Sequence, residues 1–296
     1  KAAAYKAEAK KSAGLIKVAR KNAIKYYNKL KKSYPKWCQF PTNPPADRGC
    51  MDEVLYYLAY EYEQAGDLDK AREVYLELTE NWKKSRFVPN AYLAFGELFF
   101  NEAQGDPSKW PVAANFYREV LKYPAPENKL WGYAAYKLGY VYWNQGEYGK
   151  SIDEFRKVIE FGTQYPQLPN AKGLAKTARR DIIPVYALSG DPGKAYAFFK
   201  PLSEKQDDPG TYGMMEDLGL NLLDTGHYVE AIVLYKDLLK RQPGGENTCF
   251  YQAQITQAVM ASQSGNKTPI VAELDEQLKS YKEFQTSKHS ADSKVK

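Results

Sequence analysis

Side chains suited to covalent or metal chemistry are scarce in this 296-residue chain, which has two histidines and three cysteines. His289 lies in the polar stretch 285–296 and His227 in a Gly-His-Tyr turn, so no imidazole pair is set up to hold a metal or relay a proton. A Gly-x-Ser-x-Gly elbow, a His-Glu-x-x-His helix and a phosphate loop are all missing from the sequence. The run Gly190-Asp191-Pro192-Gly193-Lys194 approaches a Walker loop, but it is too short, and Ala195 stands where Ser or Thr must meet the magnesium. Tyrosine, lysine and glutamate can do acid–base work, yet they are too common here for spacing to single any out. No catalytic residue, no metal site and no cofactor are expected.

Cys38 and Cys50 bracket a proline-rich loop, residues 39–49. Either they are two small apolar residues that flank it, or they close a disulfide. A disulfide around a loop of this length stabilises by on the order of 3 kcal/mol. The bridge is the favoured reading, because irregular loops rarely hold cysteines for packing. It implies an oxidising compartment such as a bacterial periplasm. Cys249 is then left unpaired, in a helix interface.

The elements that carry these residues follow an internal repeat. Leu58-Ala59-x-x-Tyr62-x-x-x-Gly66 continues to Ala71, Tyr75 and Leu78. The same spacing returns ungapped from Leu138-Gly139 through Gly146 to Ser151, Phe155 and Val158, and from Leu218-Gly219 through Gly226 to Ala231, Tyr235 and Leu238. Ile182-Ile183 through Gly190 to Ala195, Phe199 and Leu202 fits with a weaker start, and Phe95-Gly96 through Ala113, Tyr117 and Val120 carries five extra residues in its turn. Apolar residues at i, i+3/i+4 and i+7 make each half an amphipathic helix. The glycines Gly66, Gly146, Gly190 and Gly226 are expected in the left-handed region that ends the first helix, and polar residues such as Asp67 and Asp191 start the second. Ala59, Gly96, Gly139 and Gly219 allow close approach, with the Tyr or Phe three positions on filling the gap.

This pattern resembles the tetratricopeptide repeat. The resemblance implies an all-α, right-handed superhelical solenoid of helix-turn-helix units with one extended concave surface. Five units are clear, and a sixth, degenerate one follows, its last helix being a polar-faced cap. A helical extension precedes them, with Ala23, Tyr27 and Leu30 matching the second half of a repeat. The expected organisation is a basic helix and Cys-bracketed loop over 1–51, the array with its capping helix over 52–284, and a disordered polar tail over 285–296.

Groove positions carried over from the family fall on Tyr56, Tyr60 and Gln64, then Leu93, Glu97 and Asn101, then Tyr133, Tyr136, Tyr140, Trp143 and Asn144. Later units give Arg180, Pro184, Glu216 and Asp224. The family's clamp for a C-terminal carboxylate would fall on Tyr56, Tyr60, Ala94, Tyr133 and Lys137, where one basic residue survives, so a chaperone-tail adaptor is not expected. Tyr and Trp give large contact area, and the amides Gln64, Asn101 and Asn144 can pair with a peptide backbone. An extended partner segment fits this groove, and so does a glycan. Burial of individual tyrosines between helices is the alternative for each.

Net charge is +6 overall, but residues 1–37 alone carry +11 and the remainder −5. Lys17, Lys21, Lys25 and Lys29 form a ridge at i+4 steps. It reads either as a solvated lysine face or as a dock for an anionic surface or acidic partner. Nucleic acid is not an expected partner, because the body is acidic. No run reaches the roughly 18 apolar residues of a membrane span. The chain starts at Lys1 without a Met, so a signal peptide or lipid anchor upstream is a further expectation.

The phrases Asp52-Glu53-Val54-Leu55-Tyr56-Tyr57-Leu58-Ala59-Tyr60-Glu61-Tyr62, Pro89-Asn90-Ala91-Tyr92-Leu93-Ala94-Phe95-Gly96-Glu97 and Tyr133-Ala134-Ala135-Tyr136-Lys137-Leu138-Gly139-Tyr140 resemble the tetratricopeptide proteins of the myxobacterial adventurous gliding-motility machinery. That resemblance implies a periplasmic scaffold, tethered to the outer membrane by an upstream segment, that binds envelope proteins. A peptidoglycan-binding module and an assembly lipoprotein of a pilus or secretin system are the alternatives.

Overall fold

The computed structural model describes residues 2–37, 50–263 and 266–286. Among them every regular element is helical, as the repeat spacing predicts, and two compact units emerge, Lys1–Ala134 and Ala135–Lys296. The first holds α1 (Ala2–Ser33), α2 (Met51–Ala65), α3 (Leu68–Asn81), α4 (Val88–Ala103) and α5 (Trp110–Leu121). The boundary falls inside α6 (Trp131–Asn144). The second unit continues with α7 (Tyr148–Gln164), α8 (Ala171–Ser189), α9 (Ala195–Phe199), α10 (Asp208–Asp224), α11 (Tyr228–Arg241), α12 (Thr248–Ser262) and α13 (Lys267–Thr286). In each unit helices pack mainly on their neighbours in sequence, α1 on α2 and α3 on α4, α7 on α8 and α11 on α12.

The turns show why the spacing recurs. Gly66, Gly146 and Gly226 take φ of 82°, 74° and 80°, a region a Cβ disfavours. Asp67 then caps α3 by accepting the Lys70 amide at 3.4 Å. Gly190 departs from the expectation, with φ −84° and ψ 163°. There the Tyr186 ring lies against the glycine and its hydroxyl donates to the Asp191 carbonyl at 2.7 Å, so the chain leaves α8 extended. Pro192–Lys194 is a single 3-10 turn capped by Asp191 through the Gly193 amide, so the Walker-like run is a helix start. In the second repeat the extra turn residues hold a similar 3-10 piece, Pro107–Lys109.

Close approach follows the small residues, but a different side chain fills the space. A Cβ on Gly96 would lie 2.7 Å from the Tyr117 ring, one on Gly139 3.0 Å from Phe155, and one on Gly219 2.5 Å from Tyr235. The aromatic of the second helix, not the residue three positions on, occupies each gap. Tyr75, Tyr117, Phe155, Phe199 and Tyr235 are all fully buried. Removing such a ring typically costs about 3–5 kcal/mol.

The two ends differ from the expectation in detail. α1 is one continuous helix, held on α2 and α3 by its second half. Ile24, Tyr27 and Leu30 pack on the core, and Arg20–Glu61 and Lys31–Glu77 pair across. Residues 8–19 are exposed throughout, Lys11 included, so this half of the helix overhangs. At the other end α13 is not polar-faced. It packs on α12 while Val271, Leu274, Leu278 and Tyr281 stay exposed on a 3-4-3 spacing.

Cys50 adjoins the start of α2 and is disulfide-bonded. Cys38, its expected partner, and most of the 285–296 tail lie outside the described residues. Cys249 is a free thiol, half-buried on α12 and donating to the Ser280 carbonyl of α13 at 3.6 Å.

Candidate functional site

In the first unit the end of α2 and the end of α4 meet the start of α3 around an open cleft of about 520 Å³. Its lining is Glu63, Gln64, Leu68, Leu98, Asn101 and Glu102. The structure therefore brings together two amides that the sequence placed on one edge, Gln64 and Asn101, and both are exposed. The left-handed Gly66 makes this possible, because it turns the chain so that Leu68 faces the residues just before the bend. Of the lining residues, Glu102 is paired with Arg72, whose guanidinium lies 5.8 Å from the centroid of the Phe99 ring.

Tyr60 is 42% exposed and Tyr133 40%, so both are available to a partner. Tyr56 is half-buried, stacked on Phe87 with centroids 4.9 Å apart and planes at 14°, and its hydroxyl accepts from Asn90 at 3.5 Å. In the second unit Tyr136 and Tyr140 are half-buried on α6, with Tyr140 5.6 Å from Trp143. Both hydroxyls donate to the same Asp181 oxygen of α8, at 2.6 and 2.7 Å, and Arg180 Nε donates to the other oxygen at 2.9 Å. Asn144 is exposed and donates to the Tyr140 carbonyl of its own helix at 2.8 Å.

The same pairing of phenol and carboxylate recurs along the first helices of the repeats. Tyr75 donates to Glu63 at 3.1 Å, Tyr117 to Glu97 at 2.6 Å, and Tyr251 to Glu216. Charge-assisted bonds of this kind are short and strong. The sequence pointed to the tyrosines but not to Glu63 or Asp181. Their signal was an ionisable residue in a stretch that otherwise faces inward, as with Asp181 directly before the buried Ile182-Ile183.

Burial, reinforced by these carboxylates, makes the phenols harder to ionise. Tyr133 and Tyr251 are pushed up to about 12, by desolvation first and then by Glu97 and Glu216 respectively. Tyr186 reaches about 12 by desolvation and the nearby Asp191, while Tyr75, Tyr117 and Tyr136 are raised further. The unfolded phenol ionises near 10. A group whose folded value is raised keeps its full contribution below the unfolded value and loses it as pH climbs through the folded one. Stability should therefore fall from about pH 10 towards 12 and beyond. Spectrophotometric titration would check it: the raised tyrosines should ionise together with loss of helical circular dichroism, after the exposed ones.

The ridge lysines Lys17, Lys21, Lys25 and Lys29 are all exposed on α1. Among the described residues no group of three or more His, Cys, Asp or Glu is placed to hold a metal, and no helix is long and apolar enough to cross a membrane.

Paired helices packed in chain order, with the aromatic of the second seated on the small residue of the first, define a helical-repeat protein. Comparison with family models names the repeat: residues 53–85, spanning α2 and α3, and residues 133–161, spanning α6 and most of α7, each match a tetratricopeptide repeat. These two segments of the chain thus match tetratricopeptide repeats, units that suggest a scaffold for protein–protein interaction. No curated protein matches it.

Proposed function

We propose that this chain is a non-catalytic scaffold that holds an extended segment of a partner protein along the first helices of its repeats, within a bacterial cell-envelope complex of the gliding-motility kind. The observation that carries the docking is the cleft in which Gln64 and Asn101 converge beside the exposed Tyr60 helix face. Two amides that line the same cleft as Leu68 and Leu98 can pair with a peptide backbone while its side chains bury on those leucines. The envelope address rests on the sequence resemblance and on the disulfide-bonded Cys50, since structural disulfides persist in oxidising compartments. The lysines of α1 add long-range attraction for an anionic surface or acidic partner. The remaining groove residues, Tyr56 and Tyr133 in the first unit and Tyr136, Tyr140, Trp143 and Asn144 in the second, supply further ring faces and polar edges.

A photo-crosslinking residue placed at Tyr60 tests this in envelope extract. A defined envelope protein should be captured, and capture should be lost when Gln64 and Asn101 are changed to Ala. It should also weaken with salt in the wild type more than in a variant with the four ridge lysines changed to Gln. Capture that ignores the amide changes, or recovery of sedimenting glycan alone, counts against the reading and favours a cell-wall-binding module.

A further inference from the structure

The cleft between the ends of α2 and α4 carries an electrostatic imbalance that packing does not explain. Glu63 is part-buried on its wall, and its carboxyl is raised above the usual range, chiefly by desolvation. The Tyr75 hydroxyl works against that rise, and the Glu97 carboxylate adds to it. Among the described residues no lysine or arginine is ion-paired with Glu63. The nearby cation, Arg72, is committed to Glu102 and Asp69 and rests by the Phe99 ring. Lys70 is held by Asp67 and lies 5.5 Å from the centroid of the Tyr62 ring. One carboxylate is therefore left desolvated without a counter-charge, in a space open to solvent and large enough for a side chain with its flanking backbone.

The rest of the lining matches a ligand that is apolar along its stem and cationic at its tip. Leu68 and Leu98 offer alkyl surface, and the side-chain carbonyls of Gln64 and Asn101 can accept from N–H donors. Lysine and arginine bury their methylene stems along apolar surface and present the charged head to an acceptor. A carboxylate ligand would meet the lining carboxylates Glu63 and Glu102, and a purely apolar one would leave Glu63 without a counter-charge. We propose that this cleft is a subsite for a lysine or arginine side chain of the docked partner segment, with Glu63 as its counter-ion. The inference rests on the docking reading above and specifies what that segment must carry.

The test uses the full chain, labelled so that the side-chain amide signals of Gln64 and Asn101 are resolved by NMR. Three probes are titrated: acetyl-Ala-Ala-Lys-Ala-Ala-amide, the same peptide with norleucine for lysine, and the same with glutamate. The lysine peptide should shift both amide signals, and the norleucine and glutamate peptides should bind at least about tenfold more weakly, the scale of a lost charge-assisted bond. Glu63→Gln keeps an oxygen for the Tyr75 hydroxyl and removes a desolvated charge, so it should fold and melt no lower than wild type, yet lose the lysine preference. Equal binding of the lysine and norleucine peptides overturns the proposal, as does undiminished lysine binding by Glu63→Gln. Crosslinked capture at Tyr60 separates this from the docking reading. Capture that persists in Glu63→Gln while the wild type shows no discrimination between the peptides removes the cationic subsite and leaves the scaffold.

Discussion

Alanine at Gly162 is expected to destabilise the second unit by about 2 kcal/mol or more, although alanine is the better helix former. Gly162 is where α7 touches α8: an added Cβ would lie 2.6 Å from the Ala171 carbonyl oxygen and collide with the Ala175 methyl as well. Neither obstacle is the far end of a flexible chain, so helix α8 must shift bodily. Alanine for glycine gains up to about 1 kcal/mol of helix propensity, while overpacking a tight contact costs about 1–3 kcal/mol and occasionally more. The second term wins here. Gly213→Ala is the control: it sits inside α10 with nothing within 4 Å of the added methyl, so it should raise stability by up to about 1 kcal/mol. Urea unfolding followed by circular dichroism measures both. A Gly162→Ala variant stabilised as much as Gly213→Ala would show that the α7–α8 contact does not limit packing.

A second large effect is expected at Asp181, the buried acceptor for Tyr136, Tyr140 and Arg180. Asp181→Ala strands two phenol hydroxyls that are partly withdrawn from water, and each stranded donor costs about 1–3 kcal/mol. A total loss of about 3 kcal/mol is expected. Tyr136→Phe alone should cost about 1 kcal/mol, because Asp181 keeps its other donors. In the Asp181→Ala background the same change should cost much less, since the hydroxyl it removes has lost its carboxylate and keeps only the Tyr140 hydroxyl at 3.4 Å. That inequality, read from a double-mutant cycle, is the signature of the shared bond. Additive effects would mean that the carboxylate stabilises α6 and α8 by some other route. Because the rings of Tyr136 and Tyr140 stay half-buried at the surface of this cluster, Tyr→Phe variants also separate ring contact from hydroxyl contact in partner binding.

Much of the fold was legible because its constraints leave marks at fixed distances in the chain. A left-handed turn demands glycine, and a helix–helix contact at van der Waals distance demands Gly or Ala, so Gly66, Gly146, Gly226, Gly96, Gly139 and Gly219 repeat in register. Gly190 carried the same mark for another reason: its missing Cβ makes room for the Tyr186 ring, and the backbone goes extended. Sequence spacing cannot separate these two uses of the residue. Nor did it foresee the outer face of α13, where Val271, Leu274, Leu278 and Tyr281 were read with the polar residues between them.

The site was half legible. Amides at the ends of successive first helices were identified because the repeat sets their spacing, and Gln64 and Asn101 do share a cleft. The hydroxyl partners were not, since Asp181 lies 41 and 45 residues from the tyrosines it binds, and only packing makes that pairing. Glu63 was hidden for the opposite reason. One glutamate among many in an acidic body has no distinguishing neighbour in sequence, and it stands out only once burial and the absence of a cation are known together.

The overhanging half of α1 changes how far the protein can be felt in solution. A helix rises about 1.5 Å per residue, so the exposed stretch 8–19 extends about 18 Å. At physiological salt the field of a surface charge decays over about 8 Å. Lys10, Lys11 and Lys17 thus stand on a rod longer than two screening lengths, with Glu8 as its one acidic residue. An approaching anionic body meets this stretch of helix as a cation, and a cationic one is repelled by it. The geometry turns a modest net charge into an oriented one, so that the first encounter selects direction of approach as well as sign.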